Sequence, residues 1–169
     1  MKKIYLLLPV LCCISLTTLA QTTVDDCIKL GNEKEAAEDF KAALTYYQKA
    51  LELEPQNAEA MYYCGYMKFM MQDYMSAIQT FDNAIAIDSE SVELYYARGN
   101  ARFEMRDYNG ALEDYDMVLD LDSTDKETYY NRGITRYNLG DREGACNDLL
   151  KATKFGDAMA EETWKEICR

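Results

Sequence analysis

Residues 95–103 read YYARGNARF, which sets Arg98 and Arg102 one helical turn apart between aromatic side chains. The stretch has two relatives inside the same chain: MYYCGYMKF at 61–69 and YYNRGITRY at 129–137, 34 residues before and after it. A fixed step of this length marks a repeat array, in which each residue is one rung of a column. Gly31, Gly65, Gly99 and Gly133 make one column; Ala43, Ala77, Ala111 and Ala145 a second; Asp39, Asp73, Asp107 and Asp141 a third. Tyr47, Phe81, Tyr115 and Leu149 keep a fourth large and apolar, and Ala50, Ala84, Val118 and Ala152 keep a fifth small.

Each copy reads as helix, short turn, helix. In the third, Val92 to about Met105 carries apolar residues at helical spacing, Asp107 caps the next helix, and Ala111, Tyr115, Val118 and Leu119 form that helix's inner face. Glu54-Pro55-Gln56-Asn57, Asp88-Ser89-Glu90-Ser91 and Asp122-Ser123-Thr124-Asp125 are the stop-and-start signals between copies. Thr124 and Glu127 have the spacing of a capping box. Two helices approach closely only where side chains are small, so the expectation is that Gly99 faces Ala111. That need outweighs the helix-propensity cost of glycine, about 1 kcal/mol.

With Leu30-Gly31, Ala43, Tyr47, Ala50 and Pro55 in the first copy and their equivalents after it, the chain resembles the tetratricopeptide repeat family. The resemblance implies an all-α fold: a right-handed superhelical solenoid of four helix-turn-helix repeats at 24–57, 58–91, 92–125 and 126–159, with a C-terminal capping helix at 160–169. Ala160, Trp164, Ile167 and Cys168 share one stripe of that last helix, and Trp164 is its expected anchor. Two departures stand out. Ser89, Ser123 and Asp157 replace the closing proline, and Lys34, Lys68, Arg102 and Arg136 fill a column that is usually aromatic.

The first twenty residues differ in kind. Lys2 and Lys3 precede an apolar run from Ile4 to Leu16, and Thr18-Leu19-Ala20 offers small residues for cleavage. This is the pattern of a secretory signal peptide at 1–20, in a bacterial style, and the run is shorter than the roughly 20 apolar residues of a membrane span. The expected location is periplasmic or secreted. Removal of the signal takes two lysines and no acids, leaving 16 basic residues against 30 acidic, a formal charge of -14. Such a chain repels nucleic acid and anionic membrane, both of which demand basic side chains. Cys27, Cys64, Cys146 and Cys168 remain where disulfides persist. Cys146 and Cys168 sit on helices expected to pack together, so a bond is expected there. Cys27 and Cys64 lie on first helices of adjacent copies, open to a bond or to two buried thiols. With no histidine and no CxxC, a zinc site is not expected and no cofactor is called for.

Arg98 and Arg132 each stand sixteen residues before an aspartate, Asp114 and Asp148, whereas copies one and two have Leu30 with Tyr46 and Cys64 with Thr80. Arginine and aspartate arrive together or not at all, which argues for ion pairs inside the fold rather than a nucleic-acid strip. The aromatics remain for a partner. The resemblance puts Tyr62, Tyr66, Phe69, Tyr96, Asn100, Phe103, Tyr130 and Tyr137 in the family's concave groove, with Glu59, Glu93 and Glu127 along its rim. Family members that clamp acidic chaperone C-termini use a lysine where this chain has Ile28, Tyr62, Tyr96 and Tyr130, although Asn32 and Asn100 remain; that partner is rejected in favour of a basic or neutral one. The carboxylates follow capping and solvent-face periodicity, and no histidine serves a catalytic triad, so no enzyme activity is expected. The reading is a noncatalytic, exported scaffold that binds a peptide or protein segment. A glycan-binding envelope protein and a self-assembling structural protein are the alternatives.

Overall fold

The computed structural model describes residues 22–169, which form helices and turns with no strand among them. The signal-peptide reading of residues 1–20 lies outside the described residues. Four helix pairs follow one another: α1 (Val24–Ala36) with α2 (Phe40–Leu53), α3 (Ala58–Met70) with α4 (Tyr74–Ile85), α5 (Val92–Glu104) with α6 (Tyr108–Leu121), and α7 (Lys126–Asn138) with α8 (Arg142–Lys154). A ninth helix, α9 (Ala158–Ile167), closes the array. Each helix packs on its partner and on the next in sequence, so the core is a row of layers.

The aspartate column starts the second helices. Asp39, Asp73, Asp107 and Asp141 accept from the backbone N–H groups of Ala42, Ser76, Gly110 and Gly144 at 2.9 to 3.3 Å. The turn before each cap contains one residue with positive φ, again in register: Glu38, Gln72, Arg106 and Gly140. Only the fourth copy gives that left-handed position to glycine. The expected capping box of Thr124 and Glu127 is replaced by a neighbouring cap. Asp125, one residue nearer the helix, accepts from Thr128 N–H at 2.8 Å, while Thr124 turns back to donate to Asp122. A reciprocal box does occur at the start of α1, between Thr23 and Asp26.

The glycine column has a nearer neighbour than the alanine expected. A Cβ on Gly99 would come within 2.8 Å of the Tyr115 ring, and one on Gly65 within 2.5 Å of the Phe81 ring. The large apolar column lies nearest the glycines; at Gly133, where Leu149 replaces the ring, the gap opens to 3.1 Å and the Ala145 carbonyl stands at 3.2 Å. Tyr47, Phe81, Tyr115 and Leu149 are fully buried as a result, as are the alanines beside them. Cys27 and Cys64 are buried and unbonded, and burial pushes the Cys64 thiol up to about 11.

At the far end Ala160 is completely buried, and Trp164, Ile167 and Cys168 pack on the cluster of Leu119, Tyr129, Leu149 and Ala152. Asp157, which stands in the closing-proline column, caps α9 through Ala160 N–H at 2.9 Å, starting the helix two residues ahead of the expected position. Cys168 is bonded to Cys146 of α8, and Arg142 donates to the Ile167 carbonyl at 2.7 Å.

Two outcomes follow. Gly99→Ala forces the Tyr115 ring from its seat and lowers the stability measured by urea unfolding by about 1–3 kcal/mol. Reduction of Cys146–Cys168 opens a loop of 22 residues' separation and costs about 3 kcal/mol, read as a drop in melting temperature on adding dithiothreitol that Cys146→Ser/Cys168→Ser no longer shows.

Candidate functional site: an aromatic trench beside an arginine clasp

The arginines of the opening motif are engaged internally. Arg98 on α5 reaches α6, where its Nε donates to both Asp114 oxygens at 3.1 Å and its Nη2 to Oδ1 at 2.6 Å. Asp114 is 1% exposed. Arg102, one turn further, adds Nη1 to Asp114 Oδ2 at 3.0 Å and to the Gly110 carbonyl at 3.1 Å. The remaining arm of Arg98 crosses to the preceding pair and meets Asp82 on α4 at 2.6 Å. Arg132 repeats the arrangement with Asp148 and, across the boundary, Asp116, and Arg136 joins Asp148 at 2.8 Å. Two guanidiniums per buried carboxylate explain why Arg102 and Arg136 fill a column that is otherwise aromatic. In the second copy Lys68 occupies it and donates to Thr80, which stands where Asp114 would be.

Burial opposes charge on both sides of this contact. For Arg98 and Arg132 the carboxylates overcome it and hold the guanidiniums above the usual arginine value. For Asp114 burial prevails and the carboxyl sits above its usual range, although Arg98 and Arg102 pull it down. Asp82, Asp116, Arg102 and Arg136 are the members of this network that spacing within one copy did not disclose, because two of them belong to the preceding copy. The signal was there in a cross-copy offset: Asp82 precedes Arg98, and Asp116 precedes Arg132, by the same sixteen residues that separate each arginine from its other aspartate.

The aromatics are left on the surface between first helices. Tyr62, Tyr66 and Phe69 run along α3 as an offset stack, with ring centroids 6.1 and 6.4 Å apart and planes within 10°. They share a cavity of about 220 Å³ with Tyr96 and Asn100 of α5. A second cavity of about 360 Å³ is walled by Phe69, Asn100, Phe103, Tyr130 and Asn131, bridging α3, α5 and α7. A third, about 270 Å³, opens where α3 and α5 begin, between Glu59, Tyr62, Tyr63, Asp88 and Glu93. Shared walls join them: Tyr62 separates the third from the first, and Phe69 with Asn100 separates the first from the second. The result is an oblique trench. Tyr137 lines none of these cavities and is 47% exposed.

Hydrogen bonds fix the trench walls. Tyr115, buried beneath, donates to Asn100 Oδ1 at 2.8 Å, and Asn131 Nδ2 donates to both Tyr96 Oη and Asn100 Oδ1 at 3.0 and 3.2 Å. Tyr47 makes the corresponding bond to Asn32 at 2.7 Å and a second to Glu35. Burial raises the Tyr62, Tyr63 and Tyr96 phenols above their usual value, and nearby carboxylates add to it: Glu93 at Tyr62, Glu59 at Tyr63, Glu127 at Tyr96. No lysine or arginine lines any of the three cavities. Tyr63 and Asn131 are wall residues that the 34-residue columns did not single out, since their column holds Lys29, Tyr63, Ala97 and Asn131.

Three family models match this geometry's sequence: a tetratricopeptide repeat model over residues 28–92, a TPR repeat model over 99–140 and another tetratricopeptide repeat model over 126–155. No curated protein sequence matches the chain. Among solved structures, a crystal structure of MamA is 24% identical with a TM-score of 0.76, covering 83% of this chain and 82% of that one. MamA 41-end from Desulfovibrio magneticus RS-1 is 19% identical with a TM-score of 0.75, covering 80% and 76%. The first TPR of Spaghetti (RPAP3), bound to the HSP90 peptide SRMEEVD, is 21% identical with a TM-score of 0.68, covering 70% and 94%. At these identities the likeness is one of fold.

The clasp makes its own prediction. Arg98→Ala leaves Asp114 buried with one guanidinium instead of two and lowers stability by about 3 kcal/mol in urea unfolding. Asp82→Ala removes the exposed partner of the same arginine and costs no more than about 1 kcal/mol.

Proposed function

The chain belongs to the tetratricopeptide repeat family, and on that premise we propose that it is a noncatalytic scaffold that holds an extended segment of another protein in the trench across α3, α5 and α7. The observation that carries this reading is the continuity of the three cavities through Tyr62, Phe69 and Asn100. Tyrosines supply broad contact area and lose little rotamer freedom on binding, which suits a surface that must grip a flexible partner. Asn100 has its side-chain carbonyl occupied by Tyr115 and Asn131, which fixes the orientation of its amide in the trench wall.

The occupant differs in chemistry from the SRMEEVD peptide held by the Spaghetti domain. That peptide ends in acidic residues, whereas this trench has carboxylates at its mouth and no basic side chain in its walls. A basic or neutral segment fits the charge. Export is part of the same proposal. The apolar leader with Thr18-Leu19-Ala20 and the Cys146–Cys168 bond both support a mature chain outside the cytoplasm, and no helix among the described residues is long and apolar enough to cross a membrane.

The test is photocrosslinking capture from an envelope extract with residues 21–169, compared with Tyr66→Ala/Tyr130→Ala. Wild type is expected to capture a discrete protein set at least tenfold better than the variant, both assayed at a temperature at which circular dichroism shows the variant fully folded. Equal capture by both overturns the trench. Retardation in polysaccharide gels with no protein captured replaces the scaffold reading with glycan binding.

A further inference from the structure

The three cavities differ in chemistry: the cavity at the start of α3 and α5 has three carboxylates, the middle one none, and the one reaching α7 only Glu104. The one at the start of α3 and α5 has the carboxylates of Glu59, Asp88 and Glu93 around the edges of Tyr62 and Tyr63. Those two rings meet edge to face, with centroids 5.4 Å apart and planes at 68°, so they form a corner rather than a flat wall. At about 270 Å³ and half enclosed, the space matches one long side chain rather than a folded segment. The adjoining cavity, formed by Tyr62, Tyr66, Phe69, Tyr96, Ala97 and Asn100, has mostly aromatic walls and no carboxylate.

Elsewhere the chain pairs its cations with aromatic faces: Arg98 lies over Tyr95, Arg132 and Lys151 over Tyr129, and Lys49 over Tyr46, at 5.0 to 5.5 Å from the ring centroids. Among the described residues no such cation serves Tyr62 or Tyr63, although carboxylates stand beside both. Ser91 donates to Glu93 at 3.0 Å, and a hydroxyl neutralises no charge. An aromatic corner with uncompensated carboxylates is complementary to a lysine or arginine side chain, whose stem packs on the rings while its head pairs with the acids.

We infer that the trench reads its ligand in order: a lysine or arginine of an extended peptide enters the corner of Glu59, Tyr62, Tyr63, Asp88 and Glu93, and a large apolar side chain at one fixed spacing from it enters the cavity of Tyr66, Phe69 and Tyr96. This rests on the trench being a peptide site and adds which side chains it selects and in what sequence. Tyr62 forms a wall of both cavities and sets the register between the two.

The probe is a display library of random 12-residue peptides selected against the mature chain, against Glu59→Gln/Glu93→Gln, and against Tyr66→Ala. Both carboxylates are exposed, so the double variant keeps its fold, which circular dichroism verifies. The expected result is a wild-type enrichment of lysine or arginine at a constant offset from an aromatic or aliphatic residue. The double glutamine variant loses the basic preference and keeps the apolar one, and Tyr66→Ala does the reverse. A selected peptide should also bind wild type at least fivefold more weakly at 300 mM than at 50 mM salt, and the double variant with little change. Apolar enrichment alone, or a basic preference unchanged in the glutamine variant, overturns the ordered reading while leaving the peptide trench intact. No enrichment of any sequence against wild type overturns both.

Discussion

The ring of Tyr115 occupies the space that a side chain at position 99 would need, and Phe81 and Tyr47 do the same at positions 65 and 31. That contact sets the separation of each helix pair. It buries a large ring of the second helix and, in the first and third pairs, brings the tyrosine hydroxyl to Asn32 or Asn100 of the first helix. The same packing that excludes water from the core therefore delivers a polar anchor to the trench. Scaffold and candidate site share this one contact, and Asn100 is a wall of the trench because Tyr115 holds it there.

Around this constraint the copies have diverged in how they are joined. Pairs three and four use a guanidinium that grips its own second helix with one edge and the preceding pair with the other, through Asp82 and Asp116. A planar group with several donors can serve two helices at once, which a lysine cannot. Pair two makes do with Lys68 and Thr80, within a single copy. The arrangement withdraws the arginines from solvent and leaves the net negative charge of the chain unopposed at the mouth of the trench.

Much of this was legible in the residues. The 34-residue columns placed the helices, the aspartate caps and the Arg98 to Asp114 contact, because each depends on intervals within one copy. What spacing did not disclose has a physical cause in each case. Spacing marks Gly99 as a point of close approach but does not disclose that the Tyr115 ring is its nearest neighbour, because the partner of a small residue need not itself be small. Thr124 was read as a cap on its motif alone, while Asp125, a stronger acceptor at the correct position, took the role. Asn131 and Tyr63 were missed as trench walls because their column varies freely in size and charge, so no repetition drew attention to it. Tyr137 shares a column with Phe69 and Phe103 but lies outside the three cavities described, on the last of the first helices.

The junctions between pairs are unequal in kind, and this gives the array a direction. The first boundary has Cys64 and Gln48 where later ones have Arg98 with Asp82 and Arg132 with Asp116, while the opposite end is held by a covalent bond between α8 and α9. In a linear array each layer is secured only by its neighbours, so the two ends open more readily than the middle. The disulfide holds α9 against α8, whereas α1 is held by noncovalent contacts alone, so fraying of the last helix depends on redox state and fraying of the first does not.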